Sequence, residues 1–258
     1  MFFDDDIEFC ASLLKERDPT RFRSIMAAPE KLRPYYFVIF ALNIEVSRAP
    51  YLTKEPLIAD IRLQWWLDVL DEIIGGKTVR THAVATPLSK CISTSQAKEL
   101  KKFVLARKWD IHFNEFDSLT ELKKYLYETT GILFQVAAGR NVATKDKYFN
   151  DACMAIALAN YLTATPELKR VGKLPFAGLS PTEIGDQCSI AMANLKTAKS
   201  YMENFTERER WVLFTGWKSE KILTKIFRNP NNLESITSKL EKQRMTFTFV
   251  WKAILKTF

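Results

Sequence analysis

Leu57-Ile58-Ala59-Asp60-Ile61-Arg62-Leu63-Gln64-Trp65-Trp66-Leu67-Asp68-Val69-Leu70-Asp71-Glu72-Ile73-Ile74-Gly75-Gly76 is the stretch on which the fold class turns. Leu57, Ile58, Ile61, Trp65, Leu70, Ile73 and Ile74 recur at helical spacing, and the glycine pair supplies a stop. A helix over 54–74 is expected, buried through its Ile/Leu/Trp side. The same punctuation extends in both directions. Ser118-x-x-Glu121, Ser180-x-x-Glu183 with Pro181 behind the cap, and Thr206-x-x-Glu209 are capping boxes. Leu122, Leu126, Ile132, Leu133, Val136 and Ala137 mark a helix closed near Gly139. Ala152 to Leu162 is apolar nearly all round, which suits a helix at the centre of a bundle. Helices are predicted over 4–17, 20–28, 30–48, 54–74, 84–94, 96–113, 119–139, 145–164, 181–204, 207–216, 218–228 and 232–257. No convincing strand alternation intervenes and the loops are short. The expectation is an all-α chain forming one domain over 1–258.

Composition agrees. The 258 residues are 47% apolar, too apolar for a disordered chain, and include only 8 glycines, too few for a hairpin-rich one. The longest uncharged run, Ala152 to Pro166, falls short of the roughly 20 apolar residues of a membrane span. Met1-Phe-Phe-Asp4-Asp5-Asp6 has neither a basic signal-peptide start nor an Arg-rich transit character, which fits a cytoplasmic bacterial protein or a sequence already processed. Cys10, Cys91, Cys153 and Cys188 are widely spaced and only two His occur, so zinc sites and disulfide frameworks are disfavoured. Gly-x-Gly-x-x-Gly, the P-loop, Gly-x-Ser-x-Gly and His-Glu-x-x-His are absent. Charge is uneven. Residues 1–129 carry 19 basic and 19 acidic side chains, so the net +8 lies entirely in the second half. From Lys218 onward there are 9 basic and 3 acidic residues.

Four blocks, in order, resemble the squalene/phytoene synthase family: Phe40-Ala-Leu-Asn43-Ile-Glu45-Val-Ser-Arg48, Ile61-Arg62-Leu-Gln64-Trp65-Trp66, Tyr127-Glu-Thr-Thr-Gly131, and Lys169-Arg170-Val-Gly172-Lys173-Leu-Pro175. The likeness covers roughly residues 7–180. It is greatest to a non-classical branch that lacks the aspartate-rich motifs and includes a phytoene-synthase-like complex I assembly factor with its bacterial relatives. The resemblance implies a single isoprenoid-synthase-type helical bundle with a central cavity. In active members two Asp-x-x-x-Asp motifs hold Mg²⁺ and two diphosphates; i, i+4 spacing puts both carboxylates on one helix face, where hard Mg²⁺ takes oxygen ligands. This chain departs at both places. No acid stands between Glu45 and Glu55, and before Arg170 the chain reads Asn160-Tyr-Leu-Thr-Ala-Thr-Pro166-Glu167, with one acid and a helix-breaking proline. The expected function is therefore that of an accessory, assembly or lipid-binding factor at the membrane, with no catalytic residues and no cofactor. The alternative is a Mg²⁺-dependent head-to-head prenyl diphosphate transferase of isoprenoid biosynthesis.

Candidate substrate-binding residues are Glu45, Arg48, Arg62, Trp65, Arg170 and Lys173. For Glu45 and Arg48 an internal ion pair, extended to Arg62, competes with a ligand role. Trp65 and Trp66 suit the core and a cavity wall. Arg170 and Lys173 match basic positions near the family's diphosphate site, or form an exposed basic loop. Asp68 shares a helix face with Asp71 or Glu72, and the three are weak candidates for a metal, against the plainer reading of a solvated acidic surface. His82 and His112 stand alone. A basic amphipathic helix at about 232–258 carries Ile236, Leu240, Phe247, Trp251, Ile254 and Phe258 on one stripe, with Lys and Arg off it. It either docks on the bundle or meets an anionic membrane or a respiratory-complex subunit. A prenyl lipid or quinone tail is the ligand such a cavity implies. Nucleic acid is disfavoured, because no basic motif interleaves with aromatics on one face. The location implied is cytoplasmic, peripheral to a membrane, or the mitochondrial matrix in a eukaryote.

Overall fold

The structure is a computed structural model that describes residues 5–113, 115–140, 146–176, 178–233, 235 and 253. Thirteen α-helices are named among them. In chain order they are α1 (Asp5–Arg17), α2 (Pro19–Ala27), α3 (Arg33–Arg48), α4 (Pro56–Ile74), α5 (Ala85–Cys91), α6 (Thr94–Ala106) and α7 (Trp109–His112). Then follow α8 (Leu119–Leu126), α9 (Ile132–Ala137), α10 (Lys147–Arg170), α11 (Pro181–Ser200), α12 (Glu207–Phe214) and α13 (Ser219–Arg228). Strand structure among the described residues is confined to an isolated bridge between Glu115 and Leu174. The all-α class read from the sequence is what the chain adopts. It divides into two compact units, residues 5–112 with 132–140, and 113–131 with the described part of 146–253.

In the first unit α3 is the hub, packed by α1, α2, α5 and α9. Phe37, Val38, Ile39, Phe40, Ala41 and Leu42 are consecutive and all buried, so partners must surround the helix. Each large side chain so buried stabilises the unit by about 1.5–3 kcal/mol. Phe40 meets Phe134 edge-on at 5.9 Å, Phe22 stacks on Phe37 at 5.8 Å, and the Arg21 guanidinium lies 4.7 Å from the Phe40 ring centre. Tyr35 Oη donates to the Val136 carbonyl at 2.6 Å. α6 starts with a reciprocal Ser93–Gln96 capping box that the sequence reading overlooked.

In the second unit α10 packs against α8, α11, α12 and α13. Ala152, Cys153, Ala155, Ile156, Ala157, Ala159 and Leu162 are buried, the all-round apolarity expected of that segment. Gly216 is required there, because a Cβ would stand 2.6 Å from Ile156 Cδ1. Phe116, Tyr125, Tyr161 and Phe176 form an aromatic knot with ring centres 5.3–6.3 Å apart along its contacts. Tyr161 Oη ties the knot to the Pro175 carbonyl at 3.1 Å.

Several expectations are corrected. α10 runs through Pro166 to Arg170, so this proline does not end the helix. It sits in the penultimate turn, where one lost backbone donor is tolerated, and the Thr165 and Thr163 hydroxyls bond the Tyr161 and Ala159 carbonyls. The segment 119–139 is not one regular helix: Tyr127–Gly131 widens into a π turn. Gly131 permits it, since a Cβ there would lie 3.0 Å from the Tyr127 ring. The Ser118 hydroxyl caps Glu121 N–H, but the Glu121 carboxylate accepts from Asp117 N–H, so that box is not reciprocal. Boxes at Ser180 and Thr206 are complete. The helix expected over 96–113 breaks at Arg107 into α6 and α7. The expected helix at about 232–258 lies outside the described residues, apart from Asn232, Leu233, Ser235 and Ala253.

Candidate functional site

The candidates fall into two groups, one in each unit. In the first, α3 ends at Arg48, a short 3₁₀ turn Ala49–Tyr51 reverses the chain, and Pro56 starts α4. Glu45 and Arg48 are half-buried and Arg62 is exposed. The ion pair expected among them does not form: none of the three has an ion-pair partner among the described residues. Arg62 points its charge to solvent, and a half-buried Glu45 keeps water, so neither needs the other. Glu45 instead contributes to the field at Cys10, whose thiol is pushed up to about 12, chiefly by burial and then by Asp6, Cys91 and Glu45.

The buried face of α4 is Ala59, Leu63, Trp66, Leu67, Val69 and Leu70, toward α6. Leu57, Ile58 and Ile61, read as part of the core stripe, are 71%, 38% and 58% exposed. Trp65 is half-buried and Trp66 buried, their rings edge-on at 4.8 Å. His82 packs on both, with centres 4.9 and 5.5 Å away. Its Nδ1 accepts from the Val84 and Ala85 N–H groups at 3.1 and 3.4 Å, which places the ring proton on Nε2.

The acids of α4 are held by cations of the chain itself. Arg80 donates through Nε and Nη2 to Glu72 Oε1 at 2.9 and 2.6 Å, and its backbone N–H reaches Oε2 at 3.1 Å. Its Nη1 stands 3.9 Å from Asp68 Oδ2, and the guanidinium carbon lies 5.5 Å from the Trp65 ring centre. Gln64 Nε2 donates to Asp68 Oδ1 at 2.8 Å, and Lys101 Nζ to Asp71 Oδ1 at 2.6 Å. These hydrogen bonds from Arg80 hold the Glu72 carboxyl below its ordinary range. Asp68, Asp71 and Glu72 thus do not converge on a vacant point. No group of three His, Cys, Asp or Glu among the described residues has the geometry to hold a metal ion. The described residues do not fit the two-site Mg²⁺–diphosphate arrangement that the family resemblance implies. Arg80 was missed because it lies outside any periodic pattern, beyond the Gly75-Gly76 reversal. That reversal, with Gly76 at φ 63°, was the one signal that residues 77–80 fold back on α4.

In the second unit Arg170 and Lys173 behave oppositely. Arg170 is exposed and pairs with Glu167 one turn earlier. Lys173 is 6% exposed, and its Nζ donates to the Phe113 carbonyl at 2.5 Å. The exposed basic loop expected here is therefore half wrong. Gly172, at φ 83°, ends α10 in a left-handed turn that directs Lys173 inward. Beyond it a cleft of about 710 Å³ has a mixed lining, with Leu174, Phe176, Leu179 and Ile184 among its apolar residues and Lys169, Asn231, Asn232 and Ser235 among its polar ones.

Comparison with known proteins accords with this frame. The solved squalene synthase HpnC of Alicyclobacillus acidocaldarius superposes with a TM-score of 0.72 at 16% identity, over 88% of this chain and 95% of that one. A dehydrosqualene synthase solved with a ligand gives 0.65 at 15% identity, over 93% and 98%. At such identities the likeness concerns the fold, which is the isoprenoid-synthase type. A Drosophila melanogaster protein described as a homologue of NADH dehydrogenase (ubiquinone) complex I assembly factor 6 is 29% identical over 126 residues. That match takes in 46% of this chain and only 38% of the relative. The family model for squalene/phytoene synthase matches residues 14–178, which include all four motif blocks and both candidate groups. By that match the chain belongs to the squalene/phytoene synthase family.

Proposed function

We propose that the chain is a non-catalytic member of its family that serves as an accessory factor at a membrane, in the assembly of an NADH dehydrogenase complex. The observation that carries this reading is the state of the α4 acids. Asp68 and Glu72 stand at the i, i+4 spacing a metal-binding pair needs, yet Arg80 occupies them and Lys101 holds Asp71. A diphosphate brought to this face meets no free carboxylate pair through which a divalent ion would bridge it. The likeness to an assembly-factor homologue points the same way and suggests a location beside a respiratory membrane. No helix among the described residues is long and apolar enough to cross a membrane. A prenyl lipid or quinone tail is the ligand we assign to the family fold in this role.

The test incubates the full-length protein with Mg²⁺ and farnesyl or geranylgeranyl diphosphate. We expect no head-to-head product. EDTA-sensitive turnover would overturn the reading and establish the transferase alternative. In cells that make the chain, its removal should lower the amount of assembled NADH dehydrogenase and leave isoprenoid products unchanged.

A further inference from the structure

The exposed apolar residues at the start of α4 are the largest feature of the first unit that its core does not explain. Tyr51, Leu52, Leu57, Ile58 and Ile61 are each more than a third exposed and lie within eleven positions of one another. At 100° per residue Leu57, Ile61 and Ile58 span one 100° arc of α4, opposite the buried arc of Ala59, Leu63 and Leu70. Isolated exposed aliphatics are ordinary, but a contiguous set on a rigid corner marks a contact surface. The corner is rigid. Ala49 and Pro50 are buried, Tyr51 Oη donates to the buried Asp110 carboxylate at 3.1 Å, and Glu55 N–H donates to Thr53 Oγ1 at 3.1 Å.

Charge identifies the occupant. Along the chain the half-buried Arg48 and the exposed Lys54 and Arg62 flank and interrupt the apolar residues, and none has an ion-pair partner among the described residues. Of the nearby acids, Asp60 is engaged by His112 at 2.9 Å and Lys108 at 3.8 Å, which leaves the exposed Glu55 and the half-buried Glu45 against three cations, a net positive balance. A second copy of the chain docked here would bring like charges together. An anionic bilayer would take the aliphatic side chains into its interface and the three cations against its phosphates. We propose that this corner, from Arg48 to Arg62, is the surface by which the protein seats on an anionic lipid bilayer. The inference rests on the membrane-accessory reading above and gives it a location.

The experiment measures co-sedimentation of the full-length protein with phosphatidylcholine vesicles, with and without about one quarter phosphatidylglycerol. The unaltered chain should bind the anionic vesicles and release them in high salt. Leu57→Glu with Ile61→Glu should weaken that binding about thirtyfold or more, and Arg62→Ala about fivefold, with circular dichroism unchanged. Because Arg62→Ala removes only an exposed charge, it tests the surface even if the double variant misfolds. If both variants bind like the unaltered chain while Lys252→Glu with Lys256→Glu does not, the corner is refuted and the membrane reading stands on the C-terminal region. If the unaltered chain binds neither vesicle, the membrane reading falls and the corner with it. A dimer in solution that Leu57→Glu with Ile61→Glu converts to monomer would show instead that the surface joins two copies, and would overturn the proposal.

Discussion

Lys173 separates the structural reading of the family's basic positions from the ligand-binding one. Its ammonium is desolvated, with the residue 6% exposed, and donates to the Phe113 carbonyl at 2.5 Å, tying the end of α10 to the segment before α8. Lys173→Met keeps most of the apolar stem and removes the cation. A hydrogen bond to a charged group contributes about 1.5–3 kcal/mol. Part of that is recovered in the variant, because the ammonium no longer has to be desolvated and Phe113, 58% exposed, gives its carbonyl access to water. The expected net loss is about 1–2 kcal/mol, which for a chain of this size lowers Tm by about 2–8 °C. The assay is thermal unfolding by circular dichroism, with Arg170→Met as control. Arg170 has a side chain 75% exposed and pairs only at the surface, so its loss should stay within about 0.5 kcal/mol. Inorganic diphosphate should shift both variants as it shifts the unaltered protein. The reasoning is refuted if Lys173→Met melts with the unaltered protein, or if diphosphate stabilises the latter and loses that effect only in Lys173→Met.

Gly216→Ala would place a methyl 2.6 Å from two atoms of Ile156 and should cost about 1–3 kcal/mol by overpacking, with much of the loss relieved by Ile156→Ala in a double-mutant cycle. Additive losses would show that the two positions are not in contact. Alkylation of the native protein at pH 8 should modify Cys91 ahead of the other thiols, since Cys91 is half-buried while Cys10, Cys153 and Cys188 are buried. Burial pushes the Cys10 and Cys188 thiols up to about 12, which leaves little thiolate to react. Mass spectrometry of partly labelled protein reads the order, and early labelling of Cys10 would contradict the packing of α1.

What was legible in the sequence followed from local chemistry. The Ser180 and Thr206 boxes and the Gly75-Gly76 stop each act within one turn, and the helices they bound are where the sequence placed them. Misreadings came where a distant partner decides. The spacing of Leu57, Ile58 and Ile61 is helical whether they face α6 or solvent, and only the packing of Leu63, Leu67 and Leu70 chooses. Pro166 reads as a stop by composition, but the packing that buries Tyr161, Leu162 and Thr165 outweighs one lost hydrogen bond. Arg170 and Lys173 look equivalent in a basic run, until the left-handed turn at Gly172 sends one outward and the other in. The candidate site was legible as a set of residue types. Its state of occupation was not, because Arg80 and Lys101 reach the α4 acids from other segments.

That occupation has a testable consequence. The i, i+4 geometry that offers two carboxylates to a divalent ion offers them equally to a guanidinium, and Arg80 lies against Asp68 and Glu72 with its plane near Trp65. A guanidinium fixed by the chain itself supplies the charge balance that a metal supplies when it binds, so these acids can be kept without any metal role. The carboxyl of Glu72 is lowered beneath 4.5, chiefly by its hydrogen bonds from Arg80. A carboxylate lowered on folding stabilises fully above its unfolded value and loses that contribution as pH falls through the folded one. Unaltered protein and Arg80→Gln should therefore differ in Tm by a constant amount from pH 7 to 5, and the gap should close below the ordinary glutamate value of 4.5. A gap that persists in acid would assign the stabilisation by Arg80 to its contact with Trp65, and would leave Glu72 open to another cation.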